Sequence, residues 1–375
     1  MEPKYQKSPW IPHPNDYDRG INNLIHYKII VFFMEYGTDL PLDPKWGEIS
    51  KTPVYAEEIE EWGYDSIWYP DERYGRNMYT VLALASLRTR RASLGVSVTN
   101  PYTRHPLITG AGIASVNEVS GGRAILGIGA GASTLFERQG LTRPYSPVTA
   151  IKEALKTLQP FLRGETVDFY GETIKVRNAG IDFESKRIPL YIAARGPKLL
   201  QLAGEIADGV IIGSLASKEG LEYAFENIEI GLETSGRELK DIKTVFWGYT
   251  AISENYDLAK NLVENLVVSS MWSSKGIINS LGINREQWTP IERELKKGFG
   301  KGLPANEVYR SAAKKLSDHA IDSWSLAGPV GKVRNKIREF EKRGIDQFAM
   351  LAMGRSREEK RVMQQQFSEH IIKKE

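Results

Sequence analysis

The sequence contains no cysteine, which excludes a thiol nucleophile, a disulfide framework, a thiolate zinc site and a cysteine-held iron–sulfur cluster. Its 5 histidines are scattered singly, so no metal cluster stands out. Neither charge sign is in real excess. The 50 Lys and Arg stand against 47 Asp and Glu, a formal net charge of +3, and that balance predicts no general binding to nucleic acid or to anionic membranes. No run approaches the ~18 consecutive apolar residues of a membrane helix. Residues 1–20 carry Pro3, Pro12 and Pro14 among polar residues and lack the apolar core of a secretory signal. Internal repeats and low-complexity tracts are also lacking. These absences predict a soluble, cytoplasmic protein.

What is present is ordinary globular composition, 41% apolar and 26% charged over 375 residues. Short apolar runs alternate with helical patterns. Strands are expected at Lys28–Met34, Asp65–Tyr69, Ala92–Val98, Ala124–Ile128, Ile188–Ala193, Gly209–Ile212, Thr244–Ile252 and Gln347–Ala352. Helical patterns follow each of them, and Val167–Val176 reads as an excursion hairpin turning at Gly171. Short apolar strands separated by helices indicate a parallel sheet buried on both faces. Eight such units favour a closed (β/α)₈ TIM barrel of the α/β class over a doubly wound sheet. Residues 1–27 read as an N-terminal extension. Residues 28–375 read as a single barrel domain with an insertion at about 273–322, where mixed helical and Gly/Pro-containing sequence breaks the rhythm.

A barrel of this kind carries its site at the C-terminal ends of the strands. That rule selects Glu35 after strand one, Asp71, Glu72 and Arg73 after strand two, and residues Thr99 to Arg104 after strand three. It also selects Gly129 to Ser133 after strand four and Ala194, Arg195 and Gly196 after strand five. The glycines of Gly127-Ile-Gly-Ala-Gly131 let backbone N–H groups approach an anion; they equally suit close packing at a barrel rim. The following helix opens too late for a dinucleotide fingerprint. Arg195-Gly196-Pro197-Lys198 opens a helix and suits a phosphate, or forms a solvated turn. Asp71 and Glu72 are adjacent carboxylates, fit to move a proton if burial raises a pKa, or to pair with Arg73 or Arg76. His105 has a catalytic and a structural reading.

Three tracts carry a resemblance. Gly95-Val-Ser-Val-Thr-Asn-Pro-Tyr-Thr-Arg-His-Pro106, Ser120-Gly-Gly-Arg-Ala-Ile-Leu-Gly-Ile-Gly-Ala-Gly131, and Ile188-Pro-Leu-Tyr-Ile-Ala-Ala-Arg-Gly-Pro197 with Ala203-Gly-Glu-Ile-Ala-Asp-Gly-Val210 resemble the bacterial-luciferase-like flavin and deazaflavin superfamily. Within it the tracts look most like the coenzyme F420-dependent branch and its methylenetetrahydromethanopterin reductases. The resemblance implies a non-prolyl cis peptide at Ser97–Val98, a backbone bulge pressed against the deazaflavin ring, and Asn100 near that ring. It implies cofactor contacts at Asp71, Gly129, Ala130, Gly131, Arg195, Gly196 and Lys198, and a homodimer or homotetramer. The sequence departs from the branch at three places. The glucose-6-phosphate dehydrogenases have a His where Glu72 stands and an acid where Ala132 stands; the methanopterin reductases have a Glu inside strand one, where Phe32 is aligned, with Glu35 three residues on.

The resemblance therefore implies an F420-dependent oxidoreductase. Hydride would pass between the deazaflavin C5 and a small organic substrate such as methylenetetrahydromethanopterin or a related one-carbon pterin, with Glu72, Glu35 or Asp71 moving a proton. Two alternatives stand beside it: an FMN-dependent luciferase-like monooxygenase, and a barrel that binds a flavin or deazaflavin without chemistry.

Overall fold

The computed structural model describes residues 34–42, 48–71, 74–131, 136, 140 and 145–374. Its strands are β1 (Glu35–Asp39), β2 (Ser66–Tyr69), β3 (Ser93–Thr99), β4 (Ala124–Gly129), β5 (Val167–Tyr170), β6 (Lys175–Ala179), β7 (Leu190–Ala194), β8 (Gly209–Gly213), β9 (Lys243–Ile252), β10 (Leu326–Gly328) and β11 (Gln347–Ala352). The helices are α1 (Thr52–Glu61), α2 (Met78–Ser86), α3 (Pro106–Val119), α4 (Pro147–Leu162), α5 (Pro197–Ile206), α6 (Lys218–Ser235), α7 (Tyr256–Ser273), α8 (Arg285–Gly300), α9 (Ala305–Ala313), α10 (Asp318–Trp324), α11 (Val330–Lys342) and α12 (Arg357–His370).

Parallel pairing runs from β1 through β2, β3, β4, β7, β8, β9 and β11, and β11 pairs back with β1. The ring is closed, a (β/α)₈ barrel. Closure leaves no free strand edge and gives each strand two buried faces. The antiparallel pair β5–β6 stands outside it, where the hairpin is expected.

Seven of the eight expected strands fall where the alternation puts them; the first does not. Residues 28–33 of the expected Lys28–Met34 lie outside the described residues, and the strand that joins the ring is Glu35–Asp39. Along β1, Tyr36 packs edge-on to Phe367 of α12, while Gly37 leaves room for the indole of Trp68.

Inside the barrel a small apolar layer, Trp68, Ile125, Tyr191, Ile211, Val245 and Ala349, is separate from the main core between strands and helices. Side chains alternate in and out along each strand, so each of six strands contributes one residue to this plug. Trp68 takes the most room. An added Cβ on Gly37 or Gly95 would run into its ring, so those neighbouring strands carry no side chain at its level. Val98, Ala193 and Trp247 pack on the plug from above and are only partly buried. They form the base of the mouth.

Between β9 and β11 the chain makes a long excursion. Four helices, α7 to α10, precede β10, which pairs with the last residues of β9. Helix α7 does not run back along the barrel wall. Its last residue, Ser273, accepts a hydrogen bond from Arg195 at the end of β7 (3.0 Å), and the hydroxyl of Ser270 meets that of Tyr249 in β9 (2.8 Å).

Candidate active site at the barrel mouth

The expected residues separate into groups. Glu35 opens β1, so it lies at the end of the barrel opposite the mouth. There it pairs with Lys243 at the start of β9 (2.8 Å) and accepts from Gln347 at the start of β11 (2.9 Å). Gln347 in turn accepts from Ser66, and Ser66 from the indole N–H of Trp68. This chain of hydrogen bonds satisfies polar groups beneath the plug. The expectation that Glu35 is a catalytic acid is thereby corrected: moving strand one forward puts Glu35 at its beginning. The carboxylate at the C-terminal end of β1 is Asp39, which the sequence reading missed. It is 4% exposed, accepts from the Ala352 backbone N–H (2.9 Å) and faces Lys360 of α12 (3.3 Å). The residue that aligned with the reductases' strand-one Glu, Phe32, lies outside the described residues.

Asp71 is at the mouth, following β2. Its Oδ1 accepts from Arg104 Nη2 (2.7 Å), and its Oδ2 accepts from Arg104 Nη1 (2.8 Å) and Nη2 (2.9 Å) and from the Thr99 hydroxyl (2.7 Å). Arg104, a partner the sequence reading did not name, is the cation paired with it. Glu72, Arg73 and Ala132 lie outside the described residues. His105 caps α3, its Nδ1 accepting from the Leu107 N–H (3.3 Å), which is the structural reading of that residue.

Strand β3 breaks register with β4 between Val96 and Thr99, and the Ser97–Val98 peptide is cis. The side chain of Val98 occupies the space that a Cβ on Gly127 (2.9 Å) or Gly129 (2.8 Å) would need. Close packing accounts for these two glycines. Gly131, with φ +62°, is the one in the tract that takes a conformation side chains rarely adopt. Asn100 spends its Oδ1 on the N–H groups of Tyr102 and Thr103 (3.0 Å each), fixing the turn after β3. Ala130 is half-buried at the end of β4. The Ser97 hydroxyl is buried and has no hydrogen-bond partner among the described residues. Such a group is costly unless a ligand or water meets it.

At the end of β7, two strands along the ring from β3, Arg195 is half-buried beside Tyr249 and Gly213. Burial lowers its pKa from the ordinary guanidinium value, and Tyr249 acts in the opposite sense. Among the described residues it has the Ser273 hydroxyl but no carboxylate partner. Gly196 caps α5 without a side-chain hydrogen bond, and Lys198 is exposed in the first turn. An unpaired guanidinium beside an open helix N-terminus is arranged for an anion.

The family model for luciferase-like monooxygenases matches residues 31–347. The chain belongs to this family. It is 34% identical over 315 residues, 84% of this chain and 92% of the relative, to a 5,10-methylenetetrahydromethanopterin reductase of Archaeoglobus fulgidus. It is 32% identical over 312 residues, 80% of this chain and 85% of the relative, to an F420-dependent glucose-6-phosphate dehydrogenase of Nakamurella multipartita. Among solved structures, the coenzyme F420-dependent tetrahydromethanopterin reductase from Methanopyrus kandleri superposes with a TM-score of 0.76 at 28% identity, covering 91% of this chain and 99% of that one.

As a member of the luciferase-like family, the chain presents residues that fit a tricyclic ring with an anionic tail. Val98, Ala193 and Trp247 offer an apolar base, the orphaned Ser97 hydroxyl a polar contact, and Arg195 a charge for the tail. Trp247, Tyr249, Ser270 and Ser273 lie at the mouth and were not singled out from the sequence. Inward alternation along Lys243–Ile252 could have marked Trp247 and Tyr249. Nothing local could have marked the two serines, because they come from a helix folded back onto the mouth.

Proposed function

We propose that this chain is a coenzyme F420-dependent oxidoreductase acting on a one-carbon pterin of the methylenetetrahydromethanopterin class. The observation that carries the reading is the half-buried Arg195, left without a carboxylate among the described residues and set two strands along the ring from the β3 bulge, at the same end of the barrel. Similarity to the reductases over most of both chains supports the substrate class. Bound at the mouth, the deazaflavin would supply two-electron hydride chemistry. The protein's part is binding, orientation and exclusion of water. Arg195, the first-turn N–H groups of α5 and Lys198 hold the anionic tail. Val98, Ala193 and Trp247 set the depth of the ring, and Ser97 and Asp71 meet its polar groups. Asp71 already accepts four donor contacts from Arg104 and Thr99, so proton movement falls to other carboxylates. Asp39, buried at the end of β1, is placed for it, and Glu72 is the candidate by its position next to Asp71 in sequence.

Titrating the purified protein with F420 and with FMN, and following fluorescence quenching, tests this reading. Micromolar F420 binding with much weaker FMN binding is expected. Tight FMN binding without F420 binding overturns it and makes an oxygen-using monooxygenase the working description. Hydride transfer to methylenetetrahydromethanopterin by the F420-loaded enzyme tests the substrate class.

A further inference from the structure

Arg104 belongs to the loop after β3 and is 27% exposed at its side chain, against 12% for Asp71. The pair is bidentate, with three N–H···O contacts of 2.7 to 2.9 Å. Such forks fix orientation as well as distance. Arg104 is itself held: its guanidinium lies over the ring of Tyr79 in α2, 5.7 Å from the centroid, and the Tyr79 phenol donates to the Thr109 carbonyl in α3 (3.0 Å). The arrangement thus links the ends of β2 and β3 to the starts of α2 and α3.

Counting acceptor sites shows what remains for a ligand. A carboxylate has about four lone-pair positions, two on each oxygen. Oδ2 receives Arg104 twice and Thr99 once; Oδ1 receives Arg104 once. Counting the described residues alone, one acceptor position remains, and it is on Oδ1. We propose that Arg104, assisted by Thr99, is a positioning residue that turns Asp71 so that this one open lone pair receives an N–H or O–H donor of the bound ring. Arg104 does not touch the ligand in this scheme. It makes Asp71 an oriented acceptor. The inference rests on the reading of the mouth as an F420 site, and it explains why a carboxylate at a strand end is joined so tightly to a cation of its own chain.

The test is a double-mutant cycle on F420 affinity, read by fluorescence quenching, with thermal melting of each variant alongside. Lysine cannot reproduce a bidentate fork, so R104K should weaken F420 binding at least about tenfold, and D71N by a similar factor. The double variant D71N/R104Q should bind no worse than D71N alone, because Arg104 has nothing left to orient. The slope of affinity against salt should be the same in R104Q as in the unchanged protein, since Arg104 pairs with Asp71 and not with the ligand's charge. Thr99→Val removes one donor while keeping the side chain's shape, and should cost severalfold even if R104K melts too low to measure. F420 binding in R104K and Thr99→Val within twofold of the unchanged protein overturns the proposal and leaves the cofactor reading intact. A shallower salt slope in R104Q overturns it in favour of direct contact with the ligand. Failure of the unchanged protein to bind F420 overturns the cofactor reading, and the inference with it.

Discussion

Glu35 and Asp71 are both acidic residues beside barrel strands, yet their surroundings give them different work. Glu35 is paired at the rim opposite the mouth, with its side chain 44% exposed and that of Lys243 32% exposed. Pairs this exposed contribute roughly 0–1 kcal/mol. Glu35→Gln should therefore change unfolding free energy by no more than about 1 kcal/mol and leave turnover unchanged; a kinetic defect without a stability defect would restore Glu35 to the catalytic set. Arg195 is the opposite case, a cation with no carboxylate partner among the described residues. A charge-assisted hydrogen bond to a ligand is worth about 1.5–3 kcal/mol, so Arg195→Ala should weaken F420 by more than tenfold while leaving the melting temperature nearly unchanged. At this scale the sequence was only half legible. Arg195, Gly196, Lys198, Ser97 and Val98 were readable from their tracts, and all lie at the strand ends that frame the mouth. Asp39 was not, because its significance depends on which stretch becomes strand one.

The elements show how a small residue in one strand serves a large one in the next. Gly95 lies against the face of Trp68, and an added Cβ would fall within the indole, 2.7 Å from Cδ2. Trp68 is fully buried, so its ring has nowhere to retreat except upward. Overpacking of this kind costs about 1–3 kcal/mol. Gly95→Ala should lower stability by that order in denaturant unfolding. It should also perturb Trp247, which meets Trp68 edge-on at 6.2 Å; a shift of tryptophan emission together with weaker ligand binding is the signature expected. Helix α7 makes a related point. Its helical pattern is plain in the sequence, but its direction is not. Only the contacts Arg195–Ser273 and Tyr249–Ser270 reveal that it lies against the mouth.

For the whole molecule, stability at alkaline pH turns partly on a group far from the proposed chemistry. Lys336, in α11, donates to the carbonyls of Asp322 and Ser325 at the end of α10. Desolvation pushes its pKa down to about 8, against the nearby Asp322 charge, which raises it. The unfolded chain, with an ordinary lysine pKa near 10.4, holds that proton more firmly than the folded one does. Folding is therefore penalised while the amine is charged, and the penalty is relieved as pH rises from about 8 towards the unfolded value. Comparing the unchanged protein with Lys336→Met by denaturant titration should show the difference moving in favour of the lysine across that window. A difference independent of pH would refute the assignment. Among the described residues no helix is long and apolar enough to cross a membrane, in keeping with the absence of long apolar runs in the chain as a whole.

The sequence by itself determined the α/β alternation, the closed parallel barrel, seven of its eight strands, and the end of the barrel where a site belongs. These depend on local periodicity and on the general geometry of β/α units, which any single strand and helix carry within them. The three tracts also determined the family. The tertiary structure alone decided which stretch is the first strand, and with it that Glu35 lies beneath the plug while Asp39 lies above. It decided that Asp71 pairs with Arg104, that Gly127 and Gly129 make room for Val98, and that two serines of α7 join the mouth. Each of these is a contact between residues distant in the chain. Such contacts follow from strand register and helix direction, which arise only when the barrel closes.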